Sequence, residues 1–432
     1  MNSKYTVRPL KDIDDISVEV PGSKSITNRA LLLAAMRAGR CELNGVLFSD
    51  DSRAFLACLK ELGFDLSIDE KCRRVTLEGT GGRIPNEHAS INVGSAGTAA
   101  RFLTVFLAFA GGEYHLDSSD QMRRRPMEPL ISVLRSAGVD ITCHGEEGHF
   151  PFTLASRGIG VSKLSIDTDL SSQFASAILM ASPLLKGGLR VTLTGSRTKG
   201  SYIGITLKML KQFGFEYEGS DDKINVGGGC PSGTFSYDIE PDVSAACYFY
   251  AMSPICGRTV CVKNVHFDSM QGDIRFVRTL EGLGCRTEDK EAGVTVYPPA
   301  SGSYNGIDVN MQDYSDQTMT MAVVAAFADT PTVIHGIGHI RLQESDRLNA
   351  IITELGRLGC ICHAIEDNTG VSIQPSAFMH GADIETYEDH RIAMAFSLAG
   401  LKIPGVNILN PGCCRKTFED YFDVLDSLTQ GQ

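Results

Sequence analysis

The sequence predicts an α/β protein of two domains, each assembled from three copies of one β-α-β-α-β-β unit. Three regularities carry that reading. Five helical patterns end in a glycine followed at once by an apolar residue, at Gly63-Phe64, Gly138-Val139, Gly214-Phe215, Gly284-Cys285 and Gly359-Cys360, with intervals of 75, 76, 70 and 75 residues. Only a residue tolerant of positive φ ends a helix cheaply in this way. A second set of helical patterns lies between these at 25–37, 98–109, 172–181, 242–252, 316–327 and 390–398, again with a period near seventy. After each glycine come two short alternating runs with a turn between them, as in Val139–Cys143 and Phe150–Leu154 across GEEG, which is the pattern of a hairpin.

Along the chain, each glycine-terminated helix carries apolar residues at helical spacing, such as Phe55, Leu59 and Leu62 in the first and Leu348, Ile351, Ile352 and Leu355 in the fifth. A length of 432 residues holds six units, which pack as two domains of three. The dividing points fall near Val18–Pro21 and Ile239–Asp242, giving a first domain of 21–241 and a second of 1–20 plus 242–432.

Composition excludes several classes of function. With 40 Lys and Arg against 52 Asp and Glu, the formal charge is −12. Broad positive surfaces are what nucleic-acid and anionic-membrane binding rely on, so neither partner is expected, and any anionic ligand must be held by local basic clusters. No apolar run approaches the roughly 18 residues of a membrane span; Ala30–Met36 and Met321–Ala328 read as short buried helix. The start, MNSKYTVRPLKDIDD, has no apolar signal core, and a cytoplasmic protein is expected. Thirteen cysteines form no C-x-x-C pair. The closest spacings, Cys360-x-Cys362 and the adjacent Cys413–Cys414, do not suit zinc, and all thirteen read as reduced thiols.

The chemistry-bearing residues cluster at helix starts. PGSKSITNRALLLAA places Lys24 and Ser25 in a turn that opens a helix, with Arg29 one turn in, where free N–H groups and the helix dipole favour an anion. VGSAGTAARF repeats the idea with Gly94, Gly97, Thr98 and Arg101. Arg123, Arg124 and Arg125 precede Pro126 at a further helix start and suit a carboxylate or phosphate clamp, since Arg binds both bidentately. Ser171, Ser172 and Gln173 open the third inner helix with three uncharged hydrogen-bonding groups, of which capping explains one. Tyr202 offers a hydroxyl, or is a half-buried core residue. In the second half Asp316 heads an apolar helix, Glu344 lies beside Arg341 and Arg347, His390-Arg391 follows Tyr387-Glu388-Asp389, and Arg415-Lys416 adds positive charge. Carboxylates beside arginines are usually structural ion pairs, yet two of them at helix starts together with Lys24 would also provide positioned acids and bases. The absence of G-x-S-x-G, H-E-x-x-H, a Walker loop and G-x-G-x-x-G removes support for hydrolase, metalloenzyme, P-loop and dehydrogenase readings.

Read in order, PGSKSITNRALLLAA, GSAGTAAR, RRRP, SSQF, Asp242, SMQGDIR, Asp316, ESDR, YEDHR and KTFEDYF resemble the 5-enolpyruvylshikimate-3-phosphate synthase family from about Pro21 to Leu425. The resemblance implies the enolpyruvyl-transferase fold, an inside-out α/β barrel with three βαβαββ units in each of two domains. It implies transfer of the enolpyruvyl group of phosphoenolpyruvate to the 5-hydroxyl of shikimate 3-phosphate, by a monomer that uses no metal or organic cofactor and closes its domains around the substrates. The first domain would form the shikimate-phosphate side, the second the carboxylate and phosphoenolpyruvate side. By motif position, Ser25, Arg29, Ser171, Ser172, Gln173, Tyr202 and Asp316 would hold shikimate 3-phosphate. Lys24, Gly97, Arg125, Gln173, Gln343, Arg347, Arg391 and Lys416 would hold phosphoenolpyruvate. Lys24, Asp316, Glu344 and His390 would be catalytic, the two carboxylates carrying protons.

The chain departs from the family pattern at Ser95, usually Asn, at Phe102, usually Pro, and at His339-Ile340-Arg341-Leu342-Gln343, where Gln343 replaces a Lys. The 197–201 loop also aligns poorly. These positions bear on substrate affinity and on glyphosate, which occupies the phosphoenolpyruvate site in this family. Two rival readings are an enolpyruvyl transferase acting on UDP-N-acetylglucosamine and a retired paralogue that only binds a phosphorylated ligand. The first family has a loop cysteine near Arg123–Arg125, whereas no Cys lies between Cys72 and Cys143 here. The second is opposed by Lys24, Asp316, Glu344 and His390 occurring together.

Overall fold

Parallel strands cannot be joined by a tight turn and need a crossover, usually a helix. The computed structural model, which describes residues 4–10, 15–169, 171–196 and 198–430, repeats this device along the chain. Arg197, in the poorly aligned loop, lies outside the described residues, as do residues 1–3 and 11–14 of the chain start. Two units separate at the chain level, one formed by residues 22–240 and the other by 1–21 plus 241–432.

In the unit 22–240 three four-stranded sheets share one plan, a parallel pair followed by an antiparallel hairpin. One orders the strands His88–Asn92, Gly112–Asp117, Phe152–Ser156 and Asp140–Cys143, with Cys143 opposite Phe152. Another orders Lys163–Asp167, Leu189–Thr194, Lys223–Val226 and Tyr217–Ser220. The third begins with Phe235–Asp238, which lies parallel to Ala38–Asn44, and continues to Arg74–Thr80 and Leu66–Asp69. The leading strand of the first repeat therefore comes from the far end of the unit.

The inner crossover helices Lys24–Met36, Gly97–Ala110 and Ser172–Ala181 are apolar on nearly every face, and all residues from Ile26 to Met36 are buried. A helix apolar all round belongs inside. The outer helices Asp50–Glu61, Glu128–Ser136 and Ser201–Gln212 bury one stripe, as Phe55, Leu56 and Leu59 do.

The other unit follows the same plan with one repeat cut short. Its sheets are Arg286–Lys290, Gly293–Tyr297, Thr259–Val262 and Asp15–Val18, then Asp308–Asn310, Thr332–His335, Gly370–Gln374 and Ile361–Ile365. The strand Asp15–Val18 is parallel to Thr259–Val262, so this unit also borrows a leading strand from a distant part of the chain. The last repeat pairs Asp383–Ile384 with Asn407–Leu409 and ends in the helix Tyr421–Gln430. Six complete units were expected, but the sixth has no hairpin of its own; Lys4–Thr6 pairs antiparallel to Asn407–Leu409 in its place.

Several helix limits differ from the sequence reading. Asp316 does not head its helix but lies in a 3₁₀ segment, Gln312–Gln317, broken at Tyr314, and the α-helix runs Thr318–Ala326. Asp242 is the cap of Val243–Cys256, its Oδ1 accepting from the Ala245 N–H at 3.0 Å. All thirteen cysteines are free thiols. Among the described residues no helix is long and apolar enough to cross a membrane.

Candidate active site

The fold places the candidate residues by one rule in both units: they follow the carboxyl ends of the parallel strands. Gly97 comes after His88–Asn92, Arg125 after Gly112–Asp117, Ser171 to Gln173 after Lys163–Asp167, and Tyr202 after Leu189–Thr194. In the other unit Asp316 follows Asp308–Asn310, Arg347 follows Thr332–His335, His390 follows Asp383–Ile384, and Lys416 follows Asn407–Leu409. Helix N-termini begin there, and α/β sheets hold their ligands at this end.

In the unit 22–240, Lys24 opens its helix and pairs with Asp51 at 3.3 Å; the Asp51 side chain is almost wholly buried. Arg29 is 1% exposed. Its Nε donates to Thr206 Oγ1 at 2.8 Å, and its terminal nitrogens donate to the Ser25 carbonyl at 3.0 Å, Ser176 Oγ at 3.1 Å and the Tyr202 carbonyl at 3.2 Å. Its guanidinium lies against the rings of Phe102, at 5.3 Å, and Tyr202, at 5.9 Å. Burial with only neutral partners lowers Arg29 to about 10. Sequence reasoning treated Arg29 as a ligand-binding cation; most of its donors are spent inside the fold, so it holds Ser25 and Tyr202 in place and supplies charge through space. Phe102, which departs from the family pattern, packs on this guanidinium.

A second cation pair sits at the Gly97 turn. Arg101 donates to the Gly97 carbonyl at 3.2 Å, while its Nε is buried without a hydrogen-bond partner. Burial, and then the neighbouring Arg125, hold it well below the usual guanidinium value. A Cβ on Gly97 would lie 2.6 Å from an Arg125 nitrogen and 2.9 Å from an Arg101 nitrogen. Of the arginine run, Arg123 is tied to Asp117 at 2.9 Å and Arg124 is exposed, so Arg125 alone joins this pair. Ser171 caps its helix, accepting from the Gln173 N–H at 3.3 Å, and Gln173 Oε1 is buried without a partner. Like charges this close, in a dry setting, favour an anion between them.

In the other unit Arg347, 2% exposed, is the hub. It donates through Nε to Asp389 Oδ2 at 2.8 Å, through a terminal nitrogen to Asp316 Oδ1 at 3.0 Å, and to Gln343 Oε1. Burial would pull its proton affinity down, but Asp389, Asp316 and Glu344 together raise it. Asp316 bridges to Arg391 at 2.9 Å. Glu344 lies 3.2 Å from Lys416 Nζ, 3.0 Å from His390 Nδ1 and 3.8 Å from Arg347. Burial pushes Asp389 up, and Arg347 outweighs it, so its carboxyl stands below the usual value. The structure thus brings Asp316, Gln343, Glu344, Arg347, His390, Arg391 and Lys416 into one cluster. Arg341 and Arg415 stay outside it: the first pairs with Asp346 at 3.0 Å and the second is exposed. His339, another departure from the family pattern, bonds Ser315 Oγ at 2.7 Å.

Sequence reasoning assigned no role to Asp389, Asp51 or Arg101, although Asp389 directly precedes His390. It also passed over Asp273, a buried carboxyl that accepts from Ser244 Oγ and is raised to about 6, by burial first and then by Asp316, against Arg391 and the Ser244 bond, with Asp242 adding to the rise. A carboxyl raised in the native state contributes stability at low pH that is lost as pH rises through that value. Asp273→Asn is therefore expected to raise the melting temperature by a few degrees at pH 8 and to have no such effect near pH 4; calorimetry at the two pH values reads the difference.

Glu344, Asp389 and His390 present ligand atoms within 4.8 Å of one another. Arg347 and Lys416 already lie against these carboxylates, so the group fits an ion-paired cluster and not a divalent cation.

The sequence model of the family described as EPSP synthase (3-phosphoshikimate 1-carboxyvinyltransferase) matches residues 9–425. The chain belongs to this family. A 3-phosphoshikimate 1-carboxyvinyltransferase of Trichormus variabilis is 39% identical over 409 residues, covering 94% of this chain and 95% of that protein. The chloroplastic one of Brassica napus is 38% identical over 447 residues, covering 99% and 86%. An EPSP synthase structure from Acinetobacter baumannii has a TM-score of 0.81 over 99% of this chain and 98% of that one, at 24% identity. That likeness identifies the EPSP synthase fold, the two-domain inside-out α/β arrangement expected from the repeat.

Proposed function

We propose that this member of the EPSP synthase family transfers the enolpyruvyl group of phosphoenolpyruvate to the 5-hydroxyl of shikimate 3-phosphate, releasing phosphate, in aromatic amino acid biosynthesis. The observation that carries the reading is the arrangement of cations with positioned carboxylates at the carboxyl ends of the parallel strands. A reaction between two anions needs both.

The unit 22–240 serves the shikimate-phosphate side. Ser25, Ser171, Ser172 and Gln173 donate to phosphate and ring hydroxyls, with Arg29 and Tyr202 behind them. Lys24, Arg125 and the Gly97 turn meet phosphoenolpyruvate. In the other unit Arg347, Arg391 and Lys416 neutralise its carboxylate and phosphate, with Gln343 orienting Arg347. Asp316 also meets the shikimate ring.

A proton delivered to the terminal methylene of phosphoenolpyruvate leaves C2 open to the 5-hydroxyl. The hydroxyl proton passes to a base, and a tetrahedral ketal phosphate forms. Loss of a methyl proton with departure of phosphate regenerates the double bond. Asp316 and Glu344 carry these protons, His390 orients Glu344, and Lys24 stabilises the leaving phosphate. Fixed charges in a site closed to water make such steps faster. The enzyme works as a cytoplasmic monomer, which sedimentation and fractionation would check.

Phosphate release from phosphoenolpyruvate is expected with shikimate 3-phosphate and not with UDP-N-acetylglucosamine, and glyphosate should compete with phosphoenolpyruvate. Release with neither acceptor, in protein that binds shikimate 3-phosphate, would overturn the reading. Gly97→Ala gives a finer check, because its Cβ would displace the ends of Arg125 and Arg101. These ends are flexible, so the fold should survive while the phosphoenolpyruvate KM rises roughly tenfold, about 1.4 kcal/mol, with the shikimate 3-phosphate KM little changed.

A further inference from the structure

We propose that the adjacent thiols of Cys413 and Cys414 form a chelating site for trivalent arsenicals, and that filling it disables the neighbouring Lys416. Both thiols lie in the 3₁₀ segment Pro411–Lys416, which the chain enters through Asn410 at φ 51. Their side chains hydrogen-bond one another, so the two sulfurs already face each other. Cys413 is half-buried and open to first attack, while Cys414 is 1% exposed.

The chemistry follows from softness and proximity. Thiolate sulfur selects soft acceptors, and once the first sulfur has bonded, the second closes the ring in an intramolecular step. With phenylarsine oxide, two S–H bonds break and two As–S bonds form. The oxide oxygen leaves as water with both thiol protons, and arsenic stays trivalent. No oxidant or reductant is needed.

Closure of that ring has a route to the site. The Cys414 carbonyl accepts from the Thr417 and Phe418 N–H groups at 2.9 and 2.8 Å, and these bonds end the segment. Lys416, two residues on from Cys414, reaches Glu344 at 3.2 Å. Phe418 packs on Phe249 and Tyr421, with ring centroids 6.3 and 5.7 Å away. Drawing both sulfurs onto one atom turns the Cys413–Cys414 peptide and moves Lys416 off Glu344. The other close pair, Cys360 and Cys362, is less suited, because Cys362 Sγ donates to the Ile352 carbonyl at 3.4 Å and Cys360 is buried.

The test titrates the full chain with phenylarsine oxide and maps the adduct by mass spectrometry of proteolytic fragments, a readout independent of the enolpyruvyl-transfer reading. One arsenic per chain on the fragment holding Cys413 and Cys414 is expected. Activity should fall with the same stoichiometry, and should return with 2,3-dimercaptopropanol but not with 2-mercaptoethanol. Cys413→Ser, at the half-buried position, should keep its activity and need at least about ten times more reagent for the same loss. Cys414→Ser should behave alike, and the first variant decides if the second does not fold. An adduct on Cys360 and Cys362, or unchanged sensitivity in Cys413→Ser, would overturn the proposal.

Discussion

Glu344→Gln is expected to lower turnover by roughly 10²- to 10⁴-fold, the range of a lost general acid or base, while both KM values stay within about threefold. The exchange keeps the shape of a side chain that is 10% exposed and lies between Lys416 at 3.2 Å and His390 at 3.0 Å. It removes one negative charge from among Arg347, His390 and Lys416, so the anionic substrate should not bind more weakly. What is lost is a group that can accept and return a proton. Steady-state kinetics with each substrate varied separates the possibilities. A raised phosphoenolpyruvate KM with unchanged turnover would show that Glu344 only arranges the cations, and the proton would then have to be carried by Asp316.

Asp389→Ala is expected to cost stability more than any other single exchange in the cluster. Arg347 is 2% exposed and Asp389 wholly buried, and removing one partner of a buried ion pair typically costs about 3–5 kcal/mol. Ser345 Oγ, 2.9 Å from Asp389 Oδ2, would lose its acceptor as well. The cap on the helix His390–Gly400, where Asp389 Oδ1 accepts from the Arg391 N–H at 2.9 Å, would also go. The native Asp389 carboxyl stands below its usual value, so its contribution is present above the unfolded carboxyl value near 4 and fades as pH falls through the native one. Urea unfolding at pH 7.5 should show the full difference between wild type and variant, and the gap should narrow below about pH 4. An equal gap at both pH values would mean that packing, not charge, fixes Asp389 in place.

Much of this architecture was legible because its signals are local. Gly63, Gly138, Gly214, Gly284 and Gly359 all have φ between 84° and 92°, and a conformation that only glycine adopts cheaply leaves its mark in the sequence. Wholly apolar helices announce burial in the same way. Long-range pairings left no such mark. Nothing near Phe235–Asp238 says that it lies beside Ala38–Asn44, and nothing in Lys4–Thr6 says that it takes the place of a missing hairpin. The 3₁₀ segment holding Asp316 was mistaken for helix because its break at Tyr314 (φ −139°) involves no glycine or proline. In the candidate site, helix-start clusters revealed the cations. The partners that decide their electrostatics, Asp51 for Lys24 and Asp389 for Arg347, are fixed by packing across 27 and 42 residues and carry no local signature.

The borrowed leading strand sets a timetable for the chain as it leaves the ribosome. Asp15–Val18 is among the first segments made, yet its parallel partner is Thr259–Val262, about 240 residues later. At about 5–20 residues per second the N-terminal strand waits roughly 12–50 s without its neighbour. Meanwhile residues 22–240 emerge as an uninterrupted stretch with all three of their sheets available. The nascent protein therefore has one unit complete while its own beginning is still unpaired, and a binding factor that holds the first twenty residues would delay the later unit without touching the earlier one.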